Sequence, residues 1–142
     1  MIEKIFHKDK EMSIIIRSNY SSNGIQFFTP DDCSQQLAYM KRPQGYSIQP
    51  HVHNLVNREV NYTQEVLFIK SGKLRVDFYD PNKKYLESKI LIKGDVILLI
   101  SGGHGFEMIE ESEIIEVKQG PYSGEEDKTR FNTISEEHLI IK

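Results

Sequence analysis

The sequence predicts an all-β domain of the sandwich or barrel kind. From Glu65 onward, short runs rich in β-branched and aromatic residues are separated by turn residues. Strands recur roughly every ten residues, the spacing of sandwiches and barrels. Within several runs apolar side chains fall on alternate positions, the period of a strand with one buried face.

Taken in order, a strand is expected at residues 13–16, a polar turn at 21–24, and a short helix from Asp31 or Asp32 to Met40. The clearer series follows: strands at 65–70, 73–79, 85–92, 96–100, 104–109 and 113–118. Their turns are Ser71-Gly72, Asp80-Pro81-Asn82, Lys93-Gly94-Asp95, the glycine-rich 101–103 and Glu110-Glu111-Ser112. Residues 133–136 resemble a capping box and predict a short terminal helix. No composition shift divides the 142 residues, so one domain over 1–142 is expected, with its barrel core at roughly 39–122.

Charge is nearly balanced, 18 Lys+Arg against 21 Asp+Glu, and no basic run offers a phosphate backbone a partner. Nucleic-acid binding is disfavoured. The single cysteine, Cys33, allows neither an intrachain disulfide nor a cysteine-based zinc cluster. The longest apolar run, 96–100, is far too short to cross a bilayer. The expectation is a cytoplasmic protein with no membrane contact.

Alternation groups Leu74, Val76 and Phe78 on one face, and likewise Glu65 with Leu67 and Ile69, and His104 with Phe106 and Met108. Glu65 and His104 therefore travel with inward-facing apolar neighbours. Burying either unpaired is costly, and a shared ligand would remove the cost. His51 and His53 lie two apart, so on a strand both imidazoles reach one ion.

The surrounding spacing resembles a known pattern. Five residues separate Gly45 from His51, and six separate Glu65 from Gly72, as in the first cupin motif, G(X)5HXH(X)3-4E(X)6G. Gly94, Gly102 and His104 resemble the second, G(X)5PXG(X)2H(X)3N. The chain departs at four places: eleven residues lie between His53 and Glu65, Ile100 replaces the proline, His104 arrives one residue early, and Met108 occupies the asparagine position. Glu116 to Tyr122, the Pro50-His-X-His segment and Gln35 to Leu37 are similar to the WbuC-type cupins of surface-polysaccharide gene clusters.

The resemblance implies a cupin double-stranded β-helix, a jelly-roll barrel with short helical or irregular N- and C-terminal segments. It implies one divalent first-row metal ion, iron, manganese, nickel, cobalt or zinc, on His51, His53, Glu65 and His104, with Glu59 a rival to Glu65. Three imidazoles and a carboxylate suit any of those ions. Two open coordination positions would let the ion polarise a sugar carbonyl, with Tyr46, Tyr62 and Glu59, and also Gln64 and Glu107, as candidate acid/base groups. Lys118, Gln119 and Tyr122 are candidates for a ligand rim, and Arg17, Arg58 and Arg75 for an anionic substrate. The expected function is isomerisation or epimerisation of a small carbohydrate or sugar nucleotide, in a homodimer paired through sheet edges. Two alternatives stay open: a non-catalytic saccharide-binding or regulatory module, and an iron-dependent dioxygenase.

Overall fold

Ten short strands and two 3₁₀ turns build the chain, seen in a computed structural model that describes residues 1–142. The strands are β1 (Ile2–His7), β2 (Lys10–Ile16), β3 (Gly24–Phe27), β4 (Ala38–Lys41), β5 (Glu65–Ser71), β6 (Lys73–Tyr79), β7 (Tyr85–Ile92), β8 (Val96–Leu99), β9 (Gly103–Met108) and β10 (Glu113–Lys118). The alternating runs after Glu65 all form strands, within a residue or two of the expected bounds. Gly72 turns β5 into β6 at φ 83°, and a Cβ there would sit 2.2 Å from the Glu111 carbonyl, so the turn accepts only glycine.

The strands form three antiparallel sheets: five strands ordered β1-β2-β8-β5-β10, three ordered β7-β6-β9, and the separate β3-β4 hairpin. The two larger sheets enclose the core. Ile15, Leu67, Ile69, Ile97 and Leu99 from one meet Leu74, Val76, Phe78 and Leu91 from the other. Each such side chain contributes about 1.5–3 kcal/mol by leaving water. The architecture is thus all-β, but the sheets do not close into a barrel: β10 and β9 end their sheets without pairing.

Three local expectations are corrected. Residues 31–37 form turns and bends instead of a helix, and Ala38–Lys41 is a strand. Pro30 and the Asp31-Asp32 pair favour a turn, where backbone groups bond locally. The terminal helix is a single 3₁₀ turn, Glu136–His138, whose N-cap is Ser135; its hydroxyl meets His138 Nδ1 at 2.7 Å and makes no capping bond. The expected strand through His51 and His53 does not form either, and residues 42–64 lack regular structure. Pro43 and Pro50 carry no N–H for a ladder, and no neighbouring strand pairs with the segment.

A second buried face was hidden from the alternation pattern. Arg75, Asp77 and Tyr79 lie opposite the core face of β6, yet all are buried. Arg75 clasps Asp77 through two bonds of 2.7 and 3.1 Å and reaches Glu107 at 2.6 Å, while Ser88 donates to Asp77. The C-terminal residues cross this face: Phe131 packs edge-on against Tyr79, Ile134 N–H bonds the Tyr79 hydroxyl, and Ser88 exchanges backbone bonds with Ile140 and Lys142.

Candidate functional site

Glu65 opens β5, and three strands decide its surroundings. Its neighbours Leu67 and Ile69 point into the core, so the carboxylate points the same way at the end of the sheet. Across β10 its direct partner is Lys118, and across β8 it is Leu99. His104 is brought from the opposite sheet, where it pairs with core-facing Phe78. The side chains are 13% exposed for Glu65, 31% for His104 and 32% for Lys118, placing the group at the mouth between the free edges of β9 and β10.

His104 Nε2 lies 3.2 Å from one Glu65 oxygen, and Lys118 Nζ lies 3.0 Å from the other. Asp127 stands behind Lys118 at 3.5 Å and accepts the Thr63 hydroxyl. The hydrogen bond from His104, aided by Lys118 and opposed by burial, holds the Glu65 carboxyl down to about 2. Glu65 in turn raises the Lys118 ammonium above its ordinary value. At neutral pH the site holds a fixed carboxylate and a fixed ammonium, with an imidazole beside them.

The predicted metal set is divided. Glu65 and His104 meet, and their chemistry suits a first-row cation. His51 and His53 sit side by side on the exposed stretch 42–62, ring centroids 5.3 Å apart, with His51 Nδ1 2.9 Å from the Gln49 carbonyl. Neither joins Glu65 and His104, and no three His, Cys, Asp or Glu side chains gather to hold a metal ion. As placed, the residues supply two half-sites.

Among the acid/base candidates, Tyr62 is 81% exposed, Glu59 is also exposed, and Tyr46 stacks under Arg42 at 4.5 Å. Glu107 is engaged by Arg75 on the far face of β6. Gln64 is buried and structural, its amide oxygen taking the Gln35 N–H at 3.0 Å. Arg17 is structural as well, held by Glu3 at 2.6 Å and Asp95 at 2.8 Å, as is Arg75. Arg58 and Tyr122 are exposed. Gly102, in the glycine-rich turn, has φ 77° and lies against Met12 and the Tyr79 carbonyl, so close packing explains it.

Sequence reasoning named Lys118 only as rim and gave Asp127 no part in the site. The signal for Lys118 lay in register: an acidic residue starting one strand and a basic residue ending its antiparallel neighbour. A shallow groove of about 320 Å³ adjoins Gln64 between Lys10, Glu11, Asp32, Cys33 and Ser101, and none of the predicted ligands lines it. No helix is long and apolar enough to cross a membrane. Compared with known proteins, the chain matches no protein-family model, no curated protein and no solved structure.

Proposed function

We propose that this protein is a cupin-type metal-binding protein that acts on a small carbohydrate or sugar nucleotide, with its site at the mouth beside Glu65 and His104. The observation that carries the reading is that the two residues picked out by separate stretches of motif spacing come from opposite sheets and meet at 3.2 Å. A divalent ion bound there would supply Lewis acidity toward a sugar carbonyl or hydroxyl. The chain's own residues do the rest. Glu65 remains ionised, His104 offers a ring nitrogen, and Lys118 presents positive charge to an anionic substrate. For His51 and His53 to complete the set, residues 42–64 must lie against the mouth, which would carry Tyr46, Glu59 and Tyr62 with them. The unpaired edges of β9 and β10 are where the homodimer of this reading would form.

Elemental analysis of native protein tests it. About one first-row metal per chain is expected, lost when His51 and His53 are both changed to Ala and when Glu65 is changed to Gln, but retained in Glu59→Gln. Metal-free native protein would sink the reading, and loss only in Glu59→Gln would move the carboxylate. One observation favours a second reading, a non-catalytic saccharide-binding or regulatory module: no candidate general base stands beside Glu65. Solvent deuterium entering a sugar-nucleotide substrate would decide for catalysis, and saturable binding without exchange would decide for the module.

A further inference from the structure

We infer that residues 53–58 of one copy add as a strand to the free edge of β10 in a second copy, so that two chains exchange arms and each mouth is lined by both. It rests on the reading of the mouth beside Glu65 as the site, and it needs no bound ion. Two unmatched surfaces of the same chain carry it. Every residue from 42 to 62 is exposed, with Leu55 at 98% and Val52 at 85%. An arm of that length without structure of its own is uncommon in a compact domain and usually has a function. The other surface is β10, which ends its sheet with one row of backbone groups unpaired. Its outer face is apolar and open: Ile115 and Val117 are exposed and sit beside Phe68 and Val66 in the ladder with β5.

The arm has the pattern of a strand without a partner. Val52, Val56, Val60 and Tyr62 fall on alternate positions, with His51, His53, Leu55 and Glu59 on the others. No proline interrupts 51–64, so each residue has an N–H and a C=O to offer a ladder. Antiparallel addition with Val56 opposite Ile115 places Arg58 opposite Glu113 and Asn54 opposite Val117 on the outer face. An apolar pair then adjoins a pair of opposite charge, with Arg58 joining Lys70 around the exposed Glu113 carboxylate. A shift of two residues either way puts Val56 or Val60 against Glu113, and a shift of one turns the valines to the other face. On the inner face Leu55 lies opposite Glu116 and His53 opposite Lys118, at the end of β10 where Lys118 meets Glu65.

The strand comes from a second copy because the arm's own β10 is closed to it. The arm enters β5 through Gln64, whose carbonyl takes the Gln119 N–H, and β5 already has β8 and β10 on its two sides. The turn Gly124–Asp127 stands at that exit: Asp127 accepts the Thr63 hydroxyl and meets Lys118 at 3.5 Å. Reaching its own edge would take the arm across this turn, whereas the β10 of a facing copy is approached directly. Exchange in both directions covers both edges and closes by two-fold symmetry. Arg58 pairs at the end of β10 remote from the mouth, which leaves Tyr62 beyond the strand and in water.

Single-cysteine chains read the exchange. In a Cys33→Ser background and without metal, a Val56→Cys chain and an Ile115→Cys chain are mixed and oxidised with glutathione disulfide. A covalent dimer is expected on non-reducing gels from the mixture and not from either chain alone, since opposed positions on neighbouring strands lie near disulfide reach. Sedimentation of wild type is expected to show a dimer, weakened about tenfold in Val56→Asp by setting a charge against Ile115. Circular dichroism should not change, because Val56 is exposed in the single chain. Arg58→Glu is a second variant, expected to weaken the dimer roughly threefold through like charges at Glu113.

If a chain carrying both Val56→Cys and Ile115→Cys closes on itself as a monomer, the arm folds onto its own β10 and the exchange fails, while the mouth remains the site. If either single-cysteine chain alone gives the covalent dimer to the same extent, the arm is not the strand opposite Ile115 and the inference fails. A monomeric wild type with no covalent dimer from the mixture also overturns it, and the metal content of the same protein decides the reading of the mouth separately.

Discussion

The two long seams between the five-stranded and three-stranded sheets are held in different ways. On the β1/β7 side, Glu3 joins Lys89 at 2.9 Å and Arg17 at 2.6 Å, and Arg17 also bonds the Ile90 carbonyl and buried Asp95. On the β9/β10 side the strand edges are unpaired, and the charged groups at the mouth, Glu65, His104, Lys118 and Asp127, have an irregular and exposed stretch of chain as their neighbour in sequence. Both seams use ion pairs. In the first, the charges tie sheet to sheet along a closed seam; in the second, Glu65 and His104 also join sheet to sheet and Lys118 joins β10 to β5, but the charges gather at an open mouth, where ionisable groups make a candidate site.

The comparison can be broken most strongly at Asp95. Its carboxylate is fully buried and takes Arg17, the Ser18 N–H and the Ile92 N–H. Asp95→Ala should cost about 3–5 kcal/mol in urea unfolding, because it removes one of the two carboxylates that hold Arg17 and leaves the Ser18 and Ile92 N–H groups without their acceptor. A loss under about 1 kcal/mol would show that this seam is not held as described.

A smaller effect should appear with pH. Arg17 hydrogen-bonded to Glu3, with help from Lys89 and against burial, lowers the Glu3 carboxyl below its ordinary 4.5. A carboxyl lowered in the folded state contributes stability that is fully present above the ordinary value and lost as pH falls through the folded one. Thermal melts across that window should show wild type losing stability faster than Glu3→Gln. Parallel loss in the two proteins would remove Glu3 from the seam. The smallest effect is expected at Tyr62→Ala in metal-free protein, within about 0.5 kcal/mol of wild type, since the ring is almost wholly in water there. A larger loss would mean that residues 42–64 pack against the open seam in solution.

What could be read in advance follows the same division. The strands β5 to β10 were legible because each is a short β-rich run between clear turns, with two-residue alternation in β5, β6 and β9, and Glu65 was placed inward by its company with Leu67 and Ile69. The helix expected before Met40 was not found, since a stretch with Pro30 and the Asp31-Asp32 pair satisfies its backbone in turns. Arg75 and Asp77 look like the solvent face of a strand; only the paired guanidinium and carboxylate, covered by a distant tail, make them interior. Lys118 and Asp127 were missed as partners of Glu65 because strand register and the path after β10 are three-dimensional facts that alternation along one strand does not contain.

Gln64 gives the open seam a property of its own. Its backbone carbonyl takes the Gln119 N–H at 2.9 Å and the Gln35 side-chain amide at 3.1 Å, while its side-chain oxygen takes the Gln35 N–H. Three stretches distant in sequence are thus knotted one residue before Glu65. In the language of hydrogen exchange, the Gln35 and Gln119 amides share a single gatekeeper, and both are released to water only when Gln64 leaves its place. The stretch before it can fluctuate while the carboxylate after it stays still, so rapid exchange upstream and a rigid donor downstream are compatible in one short run of chain.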